Sequence, residues 1–305
     1  MRLSTVLLLC ALVLIGSSAE GLGPGAHLYV ASRVMGTGWP GALFGSMAPD
    51  LCNLASTPQI NGAMAGLTHC EFDRLSPSPF AMAFATHNNL WGVDSYIHCH
   101  HNPGYEDTYF TLRMKELLDE FEATGLTMLQ AEDIVDAVLD YLLRKDLGPE
   151  FGHAIALSAQ FFGAAQTQEL VEAFALPLSQ RVAGLSTEDA EDEIRSMAQL
   201  FKGITRIYGE QLALWELPGI RALLVEGFQS YLAIDAQTAD ALFTSTEELC
   251  WDYREELDRI AGALPSELEA LSPAYKLPTG RAAVLAQAVL VCALFLLAAR
   301  TRAVN

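Results

Sequence analysis

The stretch Leu129-Gln130-Ala131-Glu132-Asp133-Ile134-Val135-Asp136-Ala137-Val138-Leu139-Asp140-Tyr141-Leu142-Leu143-Arg144 decides the fold class. Its apolar residues recur at helical spacing, acidic residues crowd its start, and Gly148-Pro149 follows as a stop. Upstream, Tyr109, Leu112, Leu117, Leu118 and Phe121 recur mostly at helical spacings until Gly125. Downstream, apolar-periodic stretches cover about 151–175, 187–214, 218–233 and 236–262, and Leu185-Ser186-Thr187-Glu188 reads as a helix start. Strand alternation is nowhere sustained. The predicted fold class is all-α, a multi-helix bundle.

Composition narrows the function. Of 305 residues 51% are hydrophobic and only 18% charged, which excludes a disordered chain. Eighteen Lys and Arg face 37 Asp and Glu, for a formal charge of −19. A surface of that sign is ill-suited to a polyphosphate backbone, so nucleic acid is not an expected partner. Phosphate chemistry on such a chain needs a metal to supply positive charge.

The two ends predict an exported, tethered domain. Arg2, the apolar run Val6 to Ile15 and Gly16-Ser17-Ser18-Ala19 read as a signal peptide over 1–19, cleaved after Ala19. Ala282 to Ala299 is uncharged and, as a helix, about 27 Å long, enough to span the hydrocarbon core. Arg300 and Arg302 follow as positive-inside charges, so 282–299 is expected to be a transmembrane helix and 300–305 a cytoplasmic tail. The domain between, residues 20–276, lies on the extracytoplasmic side in this reading. Cys52, Cys70, Cys99 and Cys250 allow three pairings there, and the sequence does not choose among them.

All seven histidines fall between His27 and His153. If Phe84 to His98 is one helix, His87, Asp94 and His98 point in directions of about 0°, −20° and +20°, a single narrow stripe. Imidazole nitrogen and carboxylate oxygen are what zinc takes where sulfur is absent. Leu90 and Trp91 share that face and are expected to wall the site. His101 falls near the stripe at about −40°, a candidate outer ligand, and His100 well off it. Three further pieces supply His27 near the start of the mature chain, Asp50 after Pro49, and His69 in Thr68-His69-Cys70.

In order, Gly25-Ala26-His27-Leu28-Tyr29, Ala48-Pro49-Asp50, Thr68-His69 and Asp94-Ser95-Tyr96-Ile97-His98 resemble the zinc-dependent phospholipase C family. That family shares its all-α fold with single-strand-specific zinc nucleases and is related to glycosylphosphatidylinositol-specific phospholipase D. The resemblance covers roughly residues 23–160 and leaves about 161–275 as a helical remainder. It implies that His27, His69, His87, Asp94 and His98 are metal ligands, that Asp94 can bridge two ions, and that Asp50 is a ligand or the general base. One to three Zn²⁺ ions would lie between inner helices.

There are departures. The family often sets its inner His and Asp four residues apart, whereas position 90 is Leu. Its late His–Glu pair has no match, since His153 is followed four residues on by Leu157. Asp136 and Asp140, also four apart, read first as a solvated acidic face and second as a substitute carboxylate pair. The resulting expectation is a membrane-tethered, zinc-dependent phosphodiesterase acting on phospholipid. A nuclease of the related fold, or a non-catalytic helical domain with a structural or lost metal, are the alternatives.

Overall fold

Five of the helices begin on proline, which has no N–H to leave unsatisfied at the first helical position. They are α1 (Pro24–Met35), α2 (Pro40–Leu43), α3 (Pro58–Cys70), α4 (Pro79–Ala85) and α8 (Pro149–Phe161). The others are α5 (Val93–Ile97), α6 (Tyr109–Glu120), α7 (Met128–Leu147), α9 (Ala164–Arg181), α10 (Thr187–Leu214), α11 (Leu217–Leu232), α12 (Ala236–Leu249) and α13 (Tyr253–Leu271). Between α2 and α3 the chain winds through 3-10 turns at Phe44–Ser46 and Ala48–Leu54. This computed structural model describes residues 23–36, 38, 40–97 and 108–271, and no strand occurs among them.

Local chemistry sets the boundaries. Thr57, Ser78, Thr108, Ser186 and Asp235 each cap a helix by accepting the backbone N–H three residues on. The start of α7 is a reciprocal Thr127–Gln130 capping box rather than the acidic cap expected there. Its end follows expectation: Gly148 takes φ +79 and donates to the Arg144 carbonyl before Pro149 opens α8. Two long periodic stretches prove to be pairs of helices, broken at Phe162-Gly163 and at Cys250-Trp251-Asp252.

One continuous hydrophobic core runs from Ala26 to Leu268. Its tightest seam joins α8 to α10. A Cβ on Gly152 would stand 2.6 Å from the Gly209 carbonyl oxygen, and one on Gly209 would stand 2.7 Å from that of Gly152. Aromatic rings tie the early turns to the later helices. Phe44 stacks on Phe162 at 4.4 Å, and Phe84 lies against Phe174 at 5.8 Å. Phe228 is buried in this core, whereas Trp251 is 74% exposed at the α12–α13 turn.

Among the described residues no helix is long and apolar enough to cross a membrane. The expected signal peptide, residues 1–19, and the expected membrane helix, 282–299, lie outside the described residues, as does the tail 300–305. No disulfide joins Cys52, Cys70 and Cys250 to one another, and Cys99 is also outside that range.

Candidate metal centre

Five of the expected ligands meet at one point inside the bundle. His27 comes from the first turn of α1, Asp50 from the 3-10 turn Ala48–Leu54, and His69 from the end of α3. His87 follows α4, and Asp94 lies in the first turn of α5. None of the five is more than 3% exposed.

The distances describe a converging set. Asp94 Oδ2 lies 3.0 Å from His87 Nε2 and 3.5 Å from His69 Nε2, while its Oδ1 lies 3.4 Å from His27 Nε2. Asp50 Oδ1 is 3.5 Å from both His69 Nε2 and His87 Nε2. The His27 and His87 rings stack at 3.9 Å, with His69 edge-on to His87 at 4.8 Å. Two groups, His27 with His87 and Asp94, and Asp50 with His69 and His87, each bring one ligand atom per residue within 4.8 Å of the others.

Backbone carbonyls fix what these imidazoles offer. His87 Nδ1 lies 2.7 Å from the Ser46 carbonyl and His69 Nδ1 3.1 Å from that of Ala65. A carbonyl only accepts, so Nδ1 carries the hydrogen and each neutral ring turns an Nε2 lone pair inward. Those two nitrogens are only 3.2 Å apart and face carboxylate oxygens as well. Buried acceptors facing acceptors are costly. A divalent cation removes the conflict, and an imidazole anchored through its other nitrogen is the usual form of a metal-binding histidine. The donor set fits a metal ion.

Without a metal, a proton takes that part. Burial disfavours a charged His87, but Asp94 and Asp50 outweigh it and raise its pKa to about 10. Burial would raise the Asp50 carboxyl, yet His87, His69 and His27 together hold it well below the usual carboxylate range.

His87 and Asp94 do not share one helix, contrary to expectation. α4 stops at Ala85, and Asn88 folds the connection by accepting the N–H groups of Leu90, Trp91 and Gly92 at 2.8, 2.9 and 3.2 Å. Asp94 N–H then donates to the His87 carbonyl at 3.0 Å, which returns the chain to the cluster. The six residues between His87 and Asp94 are absorbed in this turn. Leu90, expected to wall the site, is 55% exposed instead, and Trp91 is half-buried with its edge on Phe72. Thr68 adds a tie between motifs, its hydroxyl 3.1 Å from the Pro49 carbonyl beside Asp50 and 2.9 Å from His69 Nδ1.

The secondary candidates separate from the cluster. Asp136 and Asp140 are buried, so they are no solvated acidic face. Asp140 accepts the Gly25 and Ala26 N–H groups, each at 3.1 Å, and the Tyr208 hydroxyl at 2.6 Å. Burial raises its pKa to about 6 against the pull of those hydrogen bonds. Glu132, one turn before Asp136 and also buried, was not singled out from sequence, although the same spacing of four could have found it. His153 is exposed on α8, outside the cluster. His98 and His101 lie outside the described residues. No family model, curated protein or solved structure matches this chain.

Proposed function

We propose that the chain is a zinc-dependent hydrolase of phosphodiesters, exported by residues 1–19, tethered by 282–299, and acting on phospholipid. The observation that supports it most is the convergence of three imidazoles and two carboxylates, two of the rings anchored through Nδ1 on backbone carbonyls. Nitrogen and oxygen donors without thiolate suit Zn²⁺. When bound, zinc lowers the pKa of its water from about 15.7 to about 7 and polarises a phosphoryl oxygen.

His27, His69, His87, Asp50 and Asp94 would hold one or two ions. Asp94 presents different oxygens to different imidazoles, Oδ1 to His27 and Oδ2 to His69 and His87, as a bridging carboxylate does. Asp50 stays ionised at neutral pH, so its carboxylate serves better as a ligand that orients the attacking water than as a strong proton acceptor. A charge of −19 favours a lipid headgroup beside the membrane over a nucleic-acid strand.

The near-complete burial of all five side chains favours a second reading, a structural metal in a non-catalytic helical domain. One experiment separates the two. The purified full-length protein is analysed for bound metal and assayed against phosphatidylcholine vesicles and single-stranded DNA, beside Asp94→Asn. The proposal expects about one or two zinc ions per chain, release of a phosphorylated headgroup or phosphatidic acid, and loss of both metal and turnover in the variant. Metal without hydrolysis would support the structural reading. Folded wild type that binds no zinc would remove both.

A further inference from the structure

The first turn of α1 carries His27, and the local tie at its start is a backbone one, Ala26 N–H to the Gly23 carbonyl at 3.2 Å, with no side-chain cap. Its N-cap is Gly23, which has no side chain to offer. The N–H groups of Gly25 and Ala26 also donate, each at 3.1 Å, to the two oxygens of Asp140, more than a hundred residues away on α7. Tyr208, buried on α10, donates its hydroxyl to the same carboxylate. The approach is close enough to dictate sequence. A Cβ on Gly25 would collide with the Asp140 carboxylate and stand 2.6 Å from the Phe151 ring, and one on Gly23 would stand 2.8 Å from Asp140 Oδ2.

A serine or aspartate at position 23 would ordinarily satisfy those donors at the surface. Here a fully buried carboxylate does so, at the cost of its desolvation. What this arrangement adds is a fixed height and rotation for the first turn of α1 relative to α7 and α10. His27 follows the capped residues directly, and its Nε2 lies 3.4 Å from Asp94 Oδ1.

We infer that Asp140 is a positioning residue for the metal centre, holding His27 in register with Asp94 by capping α1 from a distance, with Tyr208 fixing the carboxylate. This rests on the metal-centre reading above. Among the described residues Asp140 hydrogen-bonds to Gly25, Ala26 and Tyr208, so its effect on His27 travels through the backbone of residues 25–27.

The test uses the full chain and zinc itself. Zinc content and affinity, the latter by chelator competition, are measured for wild type, Asp140→Asn, Gly25→Ala and the milder Tyr208→Phe. Leu242→Ala, in the core of α12, serves as a control of comparable stability loss, since α12 packs against α11 and α7. Asp140→Asn and Gly25→Ala should each weaken zinc binding about 10- to 100-fold, the usual effect of losing support around a ligand. Tyr208→Phe should shift it less in the same direction, and keeps the test readable if a stronger variant fails to fold. Leu242→Ala should bind as wild type does. The inference is overturned if the Asp140 and Gly25 variants bind zinc like wild type, or lose affinity only as far as Leu242→Ala does. Wild type without zinc overturns the metal reading itself, which is a separate result.

Discussion

The chemistry of the cluster is decided at two residues, His87 and Asp50, whose protonation runs in opposite senses. In the metal-free fold His87 keeps its proton up to about 10, against an ordinary 6.5. Its contribution to stability is therefore complete below about pH 6.5 and is lost as pH rises through 10. Asp50 is held below its ordinary 3.8, so its contribution is present above that value and lost as pH falls beneath it. As far as this cluster governs, metal-free protein should be most stable between about pH 4 and 6.5. Zinc should invert the alkaline side, because ligand imidazoles must be neutral, and its stabilising effect should grow from about pH 6 to 8. Melting temperatures across pH, with chelator and with zinc, check this, and two curves of one shape would contradict it. Asn88 makes a second residue-scale test. Its carboxamide oxygen accepts three backbone N–H groups in the turn from His87 to Asp94. Asn88→Ala should cost about 1–3 kcal/mol in denaturant unfolding of the metal-free protein and should weaken zinc binding as well, because the two ligands lose their common frame.

Elements show why the sequence was legible in some places and not in others. The span of α10, Thr187–Leu214, matches the approximate stretch expected from sequence, because Ser186 caps it and its apolar face is sustained. The break after Phe161 was missed because Phe162 and Gly163 interrupt the pattern for only two residues, too few to disturb a periodicity. The residues of the cluster were legible for a related reason. His and Asp in apolar surroundings stand out by chemistry, so the convergence of His27, Asp50, His69, His87 and Asp94 was legible although the single helix expected for two of them is interrupted by a turn. The burial of the acids on α7 was not, because acidic residues four apart look the same whether they meet water or a distant helix terminus. Only tertiary structure shows that Asp140 faces α1, as it shows that Tyr231 donates to Asp133 and Tyr253 to Asp146. The α8–α10 seam is a further case, invisible until the backbones are seen to cross at Gly152 and Gly209. Gly209→Ala places a methyl against backbone rather than a movable side chain, so it should destabilise by about 1–3 kcal/mol, although alanine is the better helix former. A melting temperature equal to wild type would mean that the seam is looser than described.

At the scale of the molecule, all five residues of the His–Asp cluster lie before residue 95, yet the cluster does not belong to that part alone. α13 packs along α1, α10 packs along α8 and touches the 3-10 turn that carries Asp50, and the core continues through both. A chain ending at residue 160 would return Phe44, Phe84, Phe151 and Ile155, among others, to water along the faces now covered by α9 and α10. At about 1.5–3 kcal/mol for each large apolar side chain, a handful of such losses equals the whole stability of an ordinary domain, about 5–15 kcal/mol. The first turn of α1 would also lose Tyr208 from its cap. Residues 23–160 expressed alone should therefore show no cooperative thermal transition and retain no zinc, while the chain through residue 271 should unfold cooperatively and retain zinc. Circular dichroism melting with metal analysis of the two fragments decides it. Cooperative unfolding and zinc retention in the shorter fragment would mean that the later helices are an appendage and not part of what holds His27, Asp50 and Asp94 together.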